Sequence, residues 1–571
     1  MASKDRHPYK TATELTQAFL DECADNLTNQ LEMICEIETP SGTIYVSDRN
    51  KYVGERFYEA RMQFPTISRT IGEWLSEEIE FSTIELELNN ADGAYNHILQ
   101  GGAGFGGWVG RSVSLKLGLR DVASTYREIF GGSITEVGGV GRTTKSIRIM
   151  ARNRWDKLLL QFPTTAFTIE EFPLLENDKV NTAKPYVLGD WTTGLTDPAQ
   201  VPAIVVNGGD PQVYDGLRDP VQVVVSVNPL AFLDTAKVYL RRGSDVFLLN
   251  SADILSVAAG NNAFSIKQRG VTLITPPGGE EGKFEFSTGD EFFVQVRAPQ
   301  LDGAYRDNAV EQAREILKVY GGLTSADFTA EWDTLRAKAT PAQSAIANIK
   351  SRVWVQEPQV VIAYALSLLE QVRCEAFVNA AGKLGLRSVH LEDFVASPPF
   401  TLRTWDVERG SFQPNVDERT NFNRARGAFA YNPATNENSQ TTGFWKNEAS
   451  ITQVGKAIDR QLVFPNLFVR SDVEAQVVEV LRIASAFPET ISCTVTWRAL
   501  LLELGDFVKV SVDVGAVRFK GVPAMVRYLG YNPQGLKLEL RLWSFQMVPF
   551  PGWAPGYAGI VGGTGATIVP G

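Results

Sequence analysis

The chain has 571 residues, of which 44% are hydrophobic and 21% are charged, so it can bury ordinary cores and lacks the composition of a disordered protein. At roughly 150 residues per domain, this length predicts about three or four domains. The net charge is −11, and the longest run of adjacent basic residues is Arg241-Arg242, which argues against nucleic-acid binding as the main function.

The cysteines and the N-terminus restrict the class of protein further. Cys23, Cys35, Cys374 and Cys493 are at least twelve positions apart, which excludes CxxC metal sites and a disulfide-dense secreted scaffold. We expect all four to be small buried apolar side chains. No apolar signal segment opens the chain, and no stretch reaches the roughly 18 apolar residues of a membrane helix. These patterns predict synthesis in the cytoplasm without a membrane-spanning segment.

The first third of the chain predicts an N-terminal helix or arm over residues 1–30 and a small β-barrel over residues 31–190. Thr11 and Glu14 form a capping box for the helix. After it, apolar side chains alternate with polar ones, which predicts strands with one buried face. These strands cover residues 33–37, 43–46, 81–88, 113–119 and 145–150.

The middle of the chain predicts a β domain over residues 191–300 and a helical insert over residues 301–395. The alternating strands of the β domain cover residues 221–227, 238–240, 246–249 and 292–296. In the insert, Val310, Ala313, Leu317 and Tyr320 repeat at helical spacing and predict a helix that ends at Gly321-Gly322. A second helix is predicted to begin near Pro358.

The last third predicts an extended loop region over residues 396–450, a second β domain over residues 451–550 and a tail over residues 551–571. Residues 407–445 are rich in Asn, Thr, Gly and Arg and have weak periodicity, which favours a surface loop. In the second β domain, Ser471 and Glu474 form a capping box for a helix, and strands follow at 493–497, 507–512, 517–519, 522–528 and 536–543. The Gly/Pro-rich tail predicts a flexible end or an arm ordered by a partner.

Two short internal echoes predict a duplicated β architecture. The stretch at 289–296, GDEFFVQV, is similar to GDFVKV at 505–510, and ADGAY at 91–95 is similar to LDGAY at 301–305. The predicted fold class is therefore mainly β with a helical insert, an α+β multidomain chain.

The glycine-rich segment before residue 113 has the form of a dinucleotide-binding motif but the wrong surroundings. Gly102, Gly104 and Gly107 spell GxGxxG. A dinucleotide site needs a strand before the glycines and a helix after them, because the helix N-terminus holds the pyrophosphate. Here a turn precedes the glycines and a strand follows them, so we interpret the segment as a flexible β-loop that could pack on a neighbouring subunit.

No other pattern predicts catalysis, a cofactor or a metal. The three histidines are far apart and favour ordinary polar positions, and the acidic clusters favour solvated turns and strand edges. No nucleophile elbow, P-loop or calcium loop is present. We therefore predict no catalytic, cofactor-binding or metal-binding residue, and no enzyme activity. The histidines are His7, His97 and His390, and the clusters are Glu77-Glu78 with Glu80, Glu170-Glu171 and Glu280-Glu281.

Three stretches together resemble the tail hub proteins (baseplate hub or tail tip) of long-tailed bacteriophages and of related gene transfer agents. The first is residues 64–72, FPTISRTIG, which lead through a strand to NNADGAY at 89–95. The second is AREILKVYGG at 313–322 with NAAGKL at 379–384. The third is WRALLLELGDFVKV at 497–510, which continues through 526–528 into a closing strand at 536–542. No appended lysozyme-like or peptidase domain and no cysteine-rich C-terminus accompanies them.

The resemblance implies a homotrimer in which each chain contributes two similar small β-barrels. Three chains then present a pseudo-sixfold ring to the hexameric tail tube and a threefold face to a central fibre or spike. The implied partners are the tail tube or distal tail protein ring, the tape measure protein and the fibre or spike, in the tail tip of the virion. DNA would pass through the lumen without specific binding, and an acidic wall would repel its phosphates.

Exposed aromatic residues are expected at the interfaces that such a hub buries. Trp74, Phe105 and Trp108 lie in or beside loops, Trp553 lies in the tail, and Trp543 fits the core of its own barrel better than an interface. Two other functions remain open. A receptor- or glycan-binding tail protein would bind sugars on a glycan array, and a polysaccharide-degrading glycoside hydrolase would need one of the acidic pairs as its carboxylates.

Overall fold

In a computed structural model, the protein is mainly β, with five short helices in the described part. The structure describes residues 31–63, 65–71, 82–96, 107–119, 126–139, 145–173, 175–192, 201–206, 221–266, 269–272, 283–285, 290–297, 300–301, 304–305, 307–339, 345–390, 393, 400–416, 421–486, 488–496, 499, 502–514, 517–532, 537–544 and 568–570. The helix predicted over residues 1–30 lies outside these residues. No helix in the described ranges is both long enough and apolar enough to cross a membrane.

An eight-stranded sheet, called here the N-terminal sheet, has the order β3-β4-β2-β1-β7-β8-β9-β6. Neighbouring strands are antiparallel except for β2 and β4, which are parallel. It contains every strand predicted before residue 150. The strands of this part of the chain are β1 Leu31–Thr39, β2 Gly42–Ser47, β3 Lys51–Val53, β4 Arg56–Ala60, β5 Ile67–Thr70, β6 Thr83–Asn89, β7 Ser112–Leu119, β8 Arg127–Gly139 and β9 Ser146–Arg152.

One chain segment joins two strands that are far apart in the order of the N-terminal sheet. After β4, the backbone N–H groups of Arg61 and Met62 both donate to the Ser47 oxygen at the end of β2. The oxygen of Arg61 accepts the N–H of Asn89 at 2.7 Å, and Met62 bridges to Leu88, so the same segment also pairs with β6. The sheet therefore curls until β2 and β6 are connected through a single stretch of chain.

The middle of the chain forms a second, seven-stranded sheet with the order β15-β14-β20-β12-β13-β17-β16, called here the middle sheet. Its buried side chains, such as Val223, Val238 and Phe292, form a core of their own. The four predicted strands of this region are confirmed. The strands of this part of the chain, both inside and outside the middle sheet, are β10 Gln161–Phe162, β11 Tyr186–Leu188, β12 Val201–Val205, β13 Val221–Val224, β14 Phe232–Arg242, β15 Asp245–Leu248, β16 Ile254–Val257, β17 Ala263–Ile266, β18 Arg269–Thr272, β19 Lys283–Glu285, β20 Glu291–Arg297, β21 Gln300–Leu301 and β22 Ala304–Tyr305.

Four of the five α-helices contribute side chains to a third core, and the two helices predicted in the insert are confirmed. Asn308 caps the first helix through its side chain, and Gly322, with φ of +65°, follows its end. The predicted capping box of Ser471 and Glu474 is wrong, because that helix begins at Arg470, one residue before Ser471. The carboxylate of Glu474 instead accepts a hydrogen bond from the side chain of Arg470. The helices are α1 Ala309–Val319, α2 Glu331–Arg336, α3 Val361–Gln371, α4 Glu448–Val454 and α5 Arg470–Ala484.

The remaining strands form a C-terminal sheet, a smaller sheet and several hairpins. The C-terminal sheet has the order β27-β34-β37-β38-β33-β28, and β5 pairs with β37 as well. The strands are β23 Val353–Val355, β24 Gln359–Val360, β25 Cys374–Val378, β26 Leu384–Ser388, β27 Phe400–Arg403, β28 Gln413–Val416, β29 Arg424–Asn432, β30 Glu437–Thr441, β31 Trp445–Asn447, β32 Asp459–Phe464, β33 Glu489–Val495, β34 Phe507–Ser511, β35 Asp513–Val514, β36 Val517–Arg518, β37 Val522–Asn532, β38 Lys537–Ser544 and β39 Ile568–Pro570.

The surface loop predicted for residues 407–445 is wrong, since β28 to β31 occupy much of it. In β29 the buried side chains are mostly small, as at Ala425 and Ala428, and so they give no hydrophobic period. The tail prediction is also wrong for its last residues, because β39 pairs with β31 of its own chain. Residues 551–567 lie outside the described part, and the division into seven segments stays a prediction.

Candidate functional site: the junction of two sheets

Parts of all three stretches that carry the resemblance to tail hubs meet at one place in the fold, called here the junction. Helix α1, which contains most of 313–322 from the second stretch, lies in the third core instead. The first supplies β5, the second supplies the turn between β25 and β26, and the third supplies residues 502–506 and β34. Buried side chains of the N-terminal and C-terminal sheets form one continuous hydrophobic core beside it, which also includes Phe377 of β25. The junction is therefore where the two sheets become one body.

Strand β5 leaves the N-terminal part of the chain and completes the C-terminal sheet. It pairs antiparallel with β37, with Ile67 opposite Tyr531 and Thr70 opposite Tyr528. Ile67 and Ile71 are buried in the shared core. Because these contacts are both backbone hydrogen bonds and apolar burial, the C-terminal sheet is incomplete without residues from the N-terminal part.

Arg69 is the charged centre of the junction. Its side chain is only 3% exposed, forms an ion pair with Glu503 and donates a hydrogen bond to the hydroxyl of Tyr531 at 2.8 Å. The other oxygen of Glu503 accepts the N–H of Ala380 at 3.0 Å. Burial lowers the pKa of Arg69, but Glu503 and Tyr531 more than offset this effect, so the guanidinium stays charged.

Two further ion pairs attach the β25–β26 hairpin to the C-terminal sheet. Glu375 of β25 accepts hydrogen bonds from Arg527 of β37 at 2.9 and 3.0 Å, and Arg387 of β26 lies 3.4 Å from Asp506. Burial raises the pKa of Glu375, and Arg527 offsets only part of that effect. These four side chains are 11–21% exposed, so a displaced partner would leave a half-buried charge unpaired, and the pairs favour one relative position of the two elements.

The turn of the same hairpin also touches the N-terminal sheet, and this contact requires glycine. A Cβ atom at Gly382 would lie 3.0 Å from the oxygen of Gly131 in β8, and Gly382 has a φ of +71°. Glycine adopts this conformation without the steric cost that other residues meet. The turn therefore contacts both sheets at once.

The two sheets are connected around their edges in the same way. In the C-terminal sheet, β27 runs parallel to β34. The chain that follows β27 then crosses to β33, where Val407 bridges to Val495 and the N–H of Glu408 donates to the oxygen of Thr494 at 2.8 Å. This repeats the arrangement in which β4 runs parallel to β2 and Met62 then bridges to Leu88. The likeness is one of connection only, since the two sheets differ in strand number.

The structure also places some of the residues considered from sequence. His390 is fully buried, and its Nδ1 atom lies 3.8 Å from an oxygen of Asp393. Glu170 and Glu171 lie in an exposed turn, as predicted for this acidic pair. Gly107 is in a short turn before β7. Among the described residues, no group of three or more His, Cys, Asp or Glu side chains could hold a metal ion. His7, His97, Gly102, Gly104, Glu77, Glu78, Glu80, Glu280 and Glu281 lie outside the described residues.

The aromatic residues predicted at interfaces are differently placed. Trp108 is fully buried in the shared core, so its prediction as an interface residue is wrong, and Trp543 is a core residue next to Arg527, as its sequence favoured. Trp74, Phe105 and Trp553 lie outside the described residues. Among the described residues, four large aromatic side chains that the sequence did not single out are exposed. They are Tyr52 and Phe57 on the β3–β4 hairpin, whose rings are 5.0 Å apart, Phe232 and Trp405.

Three of the cysteines are described, and all three are buried and unbonded, as predicted. Burial raises the pKa of Cys374 and of Cys493 to about 12, so both remain thiols at neutral pH. A thiol is the unreactive form of cysteine. Cys23 lies outside the described residues.

Comparison with known proteins finds matches among solved structures alone. No protein-family model matches the chain, and no curated protein matches it. A 43 kDa tail protein of prophage MuSo2 from Shewanella oneidensis has 9% identity and a TM-score of 0.37, and the match covers 90% of this chain and 98% of that one. A tail protein from Neisseria meningitidis MC58 has 10% identity and a TM-score of 0.36, with 90% and 96% covered.

A third match is a chain from the virion of a native gene transfer agent particle. It has 10% identity and a TM-score of 0.36, and the match covers 73% of this chain and 90% of that one. The structural neighbours of this protein are therefore tail proteins and a gene transfer agent virion, at low sequence identity and low TM-score.

Proposed function

We propose that this protein is a structural component of a phage tail tip or baseplate: a trimeric hub that joins the hexameric tail tube to a threefold central fibre or spike. The observation that carries the proposal is the junction, where two sheets with the same edge connection share one core and are joined by ion pairs with buried or half-buried side chains. We interpret these sheets as the two hub barrels that the sequence resemblance implies.

A rigid pair of similar sheets in one chain would resolve a mismatch of symmetry. Three chains related by a threefold axis would present six similar sheets to a sixfold tube while keeping threefold symmetry on the opposite face. For this, the two sheets of a chain must keep a fixed angle. The shared core and the hairpin that contacts both sheets supply that rigidity.

The proposed location and partners follow from this role. The hub would lie at the tail tip of a virion and contact the tail tube or distal tail protein ring, the tape measure protein and the fibre or spike. DNA would cross its lumen without specific binding, since a chain with net charge −11 repels phosphate. The proposed role is structural rather than enzymatic.

The test is electron microscopy of the purified full chain, alone and mixed with the tail-tube protein of its own gene cluster. We expect threefold particles of about 188 kDa, from three chains of 62.8 kDa each, with six similar β densities in a ring. A chain that stays monomeric both alone and with the tube protein would contradict the hub proposal. So would a trimer in which the two sheets of each chain lie at unequal radii.

The DNA-channel part has its own test. Once such a map identifies the carboxylates that line the lumen, their replacement by amides should slow DNA ejection from assembled particles, because the wall would repel phosphate less. Replacement of the same number of carboxylates on the outer surface is the matched control. Equal ejection rates for both variants and the native particle would refute the acidic-channel role.

A further inference from the structure

A cavity of about 910 Å³ lies between the middle part of the chain and the helical core, away from the junction. Its volume is within the roughly 300–1,000 Å³ of ligand pockets in proteins. It is lined by residues from six separated parts of the chain, among them Ala183, Trp191, Trp354, Tyr431 and Asn466. A cavity built from so many elements has a shape fixed by the packing of the whole body.

Arg352 lies in the wall of this cavity and is a buried cation without an ion-pair partner among the described residues. Its side chain is 1% exposed and lies between the ring of Trp191, at 4.2 Å, and the ring of Phe468, at 5.0 Å. The guanidinium has one hydrogen bond in the described structure, a long one of 3.4 Å from Nη2 to the backbone oxygen of Tyr431, and Nε and Nη1 have none.

This environment is costly for a positive charge. Burial lowers the pKa of Arg352 to about 9, and Asp190 offsets only part of the effect. The carboxylate of Asp190 is already engaged, because it accepts hydrogen bonds from the backbone and the hydroxyl of Thr192. A buried guanidinium with two unused donor atoms is stabilised strongly by an incoming carboxylate, since such pairs are strongest where water is excluded.

The rest of the cavity wall consists of aromatic rings and side-chain amides. Trp354 has an indole N–H that is buried and has no hydrogen-bond partner in the described structure. Aromatic rings offer flat apolar surfaces, and amides offer both donors and acceptors, the combination that suits a ring bearing hydroxyl groups. The aromatic residues are Trp191, Trp354, Tyr364, Tyr431 and Phe464, and the amides include Asn181, Gln356, Gln359 and Asn436.

We propose that this cavity binds a saccharide that carries a carboxylate. The carboxylate pairs with the guanidinium of Arg352, the sugar rings pack on the aromatic wall, and the amides bind the hydroxyl groups. An acidic peptide fits less well, because several carboxylates would meet one arginine and the lining residues Glu357 and Glu370. The site is independent of the hub role and would give a tail protein a contact with acidic surface sugars.

The test uses three pairs of probes that differ in an acidic group: cellobiouronic acid with cellobiose, sialyllactose with its methyl ester, and N-acetylglucosaminyl-N-acetylmuramic acid with diacetylchitobiose. Binding to the full chain is measured by titration calorimetry, with tryptophan fluorescence as a second readout because Trp191 and Trp354 line the cavity. We expect at least one acidic probe to bind about tenfold or more tightly than its neutral counterpart.

Two variants separate charge recognition from loss of structure. Arg352→Met removes the charge and should abolish the preference for the acidic probe while leaving binding of the neutral one unchanged. Because Arg352 is buried and its loss could disturb the fold, Glu357→Gln is the second variant. Glu357 is exposed at the cavity, so its neutralisation should tighten the acidic probe about threefold through reduced repulsion and leave the neutral probe unchanged.

A matched pair of tryptophan variants locates the binding. Trp354→Leu should weaken acidic and neutral probes alike, whereas Trp405→Leu, at an exposed tryptophan outside the cavity lining, should change neither. The proposal is overturned if no acidic probe binds at about 10 mM, if acidic and neutral probes bind equally, or if Glu357→Gln leaves the acidic probe unaffected. Tighter binding of triglutamate than of every acidic sugar would reassign the cavity to a peptide.

Discussion

Single charged residues differ widely in what they contribute to this fold, and Arg69 and Arg148 mark the two extremes. Arg69 is buried between Glu503 and Tyr531, whereas Arg148 forms an exposed ion pair with Glu85 at 2.6 Å on the N-terminal sheet. Removal of one partner from a buried pair leaves the other charge without water or counter-charge. Removal of one partner from an exposed pair leaves the other charge in contact with water.

We therefore expect Arg69→Met to lower the free energy of unfolding by about 3–5 kcal/mol. The matched variant Arg148→Met should lower it by about 1 kcal/mol or less. Urea denaturation followed by tryptophan fluorescence measures both. Equal effects of the two substitutions would mean that Arg69 does not hold the junction together.

Asp92 gives a prediction for the dependence of stability on pH. Hydrogen bonds from Arg61 and from the backbone of Ala94 lower the pKa of Asp92 from 3.8 to about 2. Because the folded-state pKa is depressed, the stabilisation is present above pH 3.8 and is lost as the pH falls towards 2. Asp92→Asn should therefore lower the thermal midpoint at pH 7 and lower it by much less at pH 2. A difference that persists unchanged at pH 2 would contradict this assignment.

At the scale of elements, strands with apolar alternation were predictable and strands with small buried residues were not. In β6, Ile84, Leu86 and Leu88 alternate with polar residues and are buried. Strand β29 packs its small residues under α5 instead, where a Cβ atom at Gly427 would lie 2.7 Å from Cγ1 of Val473. A close helix–sheet contact of this kind needs small side chains, so the signal that marks a buried strand is absent.

This contact predicts that Gly427→Ala destabilises the protein by about 1–3 kcal/mol, the usual cost of overpacking a core. The control is Gly443→Ala, since no heavy atom lies within 4 Å of a Cβ atom there. Its effect should stay within about 0.5 kcal/mol. Thermal unfolding of both variants checks the prediction, and a neutral Gly427→Ala would show that α5 can move away from β29.

The junction itself was predictable only in its parts. Of the stretches that carry the sequence resemblance, 64–72, 379–384 and 497–510 contribute residues to the junction, whereas helix α1, which contains most of 313–322, lies in another core. Their meeting could not be inferred, because Arg69 and Glu503 are 434 positions apart and neither has a sequence pattern that marks an ion-pair partner. Trp108 was misplaced for a related reason: its glycine-rich neighbours indicate a loop, yet the tertiary fold covers the indole completely.

At the scale of the whole molecule, the N-terminal and C-terminal sheets share one core while the middle sheet has its own. A disturbance at the junction should therefore spread to both outer sheets and spare the middle one. In hydrogen–deuterium exchange, Arg69→Met should raise exchange in β7 and β38 together and leave β20 unchanged. Faster exchange in the C-terminal sheet alone would show that the two sheets are energetically separate.

The pairing of β5 with β37 also constrains how the protein can be made. Arg69 and Tyr531 are 462 positions apart, and ribosomes add about 5–20 residues per second, so roughly 20 to 90 s separate their synthesis. During that interval the nascent chain carries a strand whose pairing partner does not yet exist. The pairing of β5 must therefore wait until β37 has been synthesised, and the unpaired strand is a natural place for a chaperone to act.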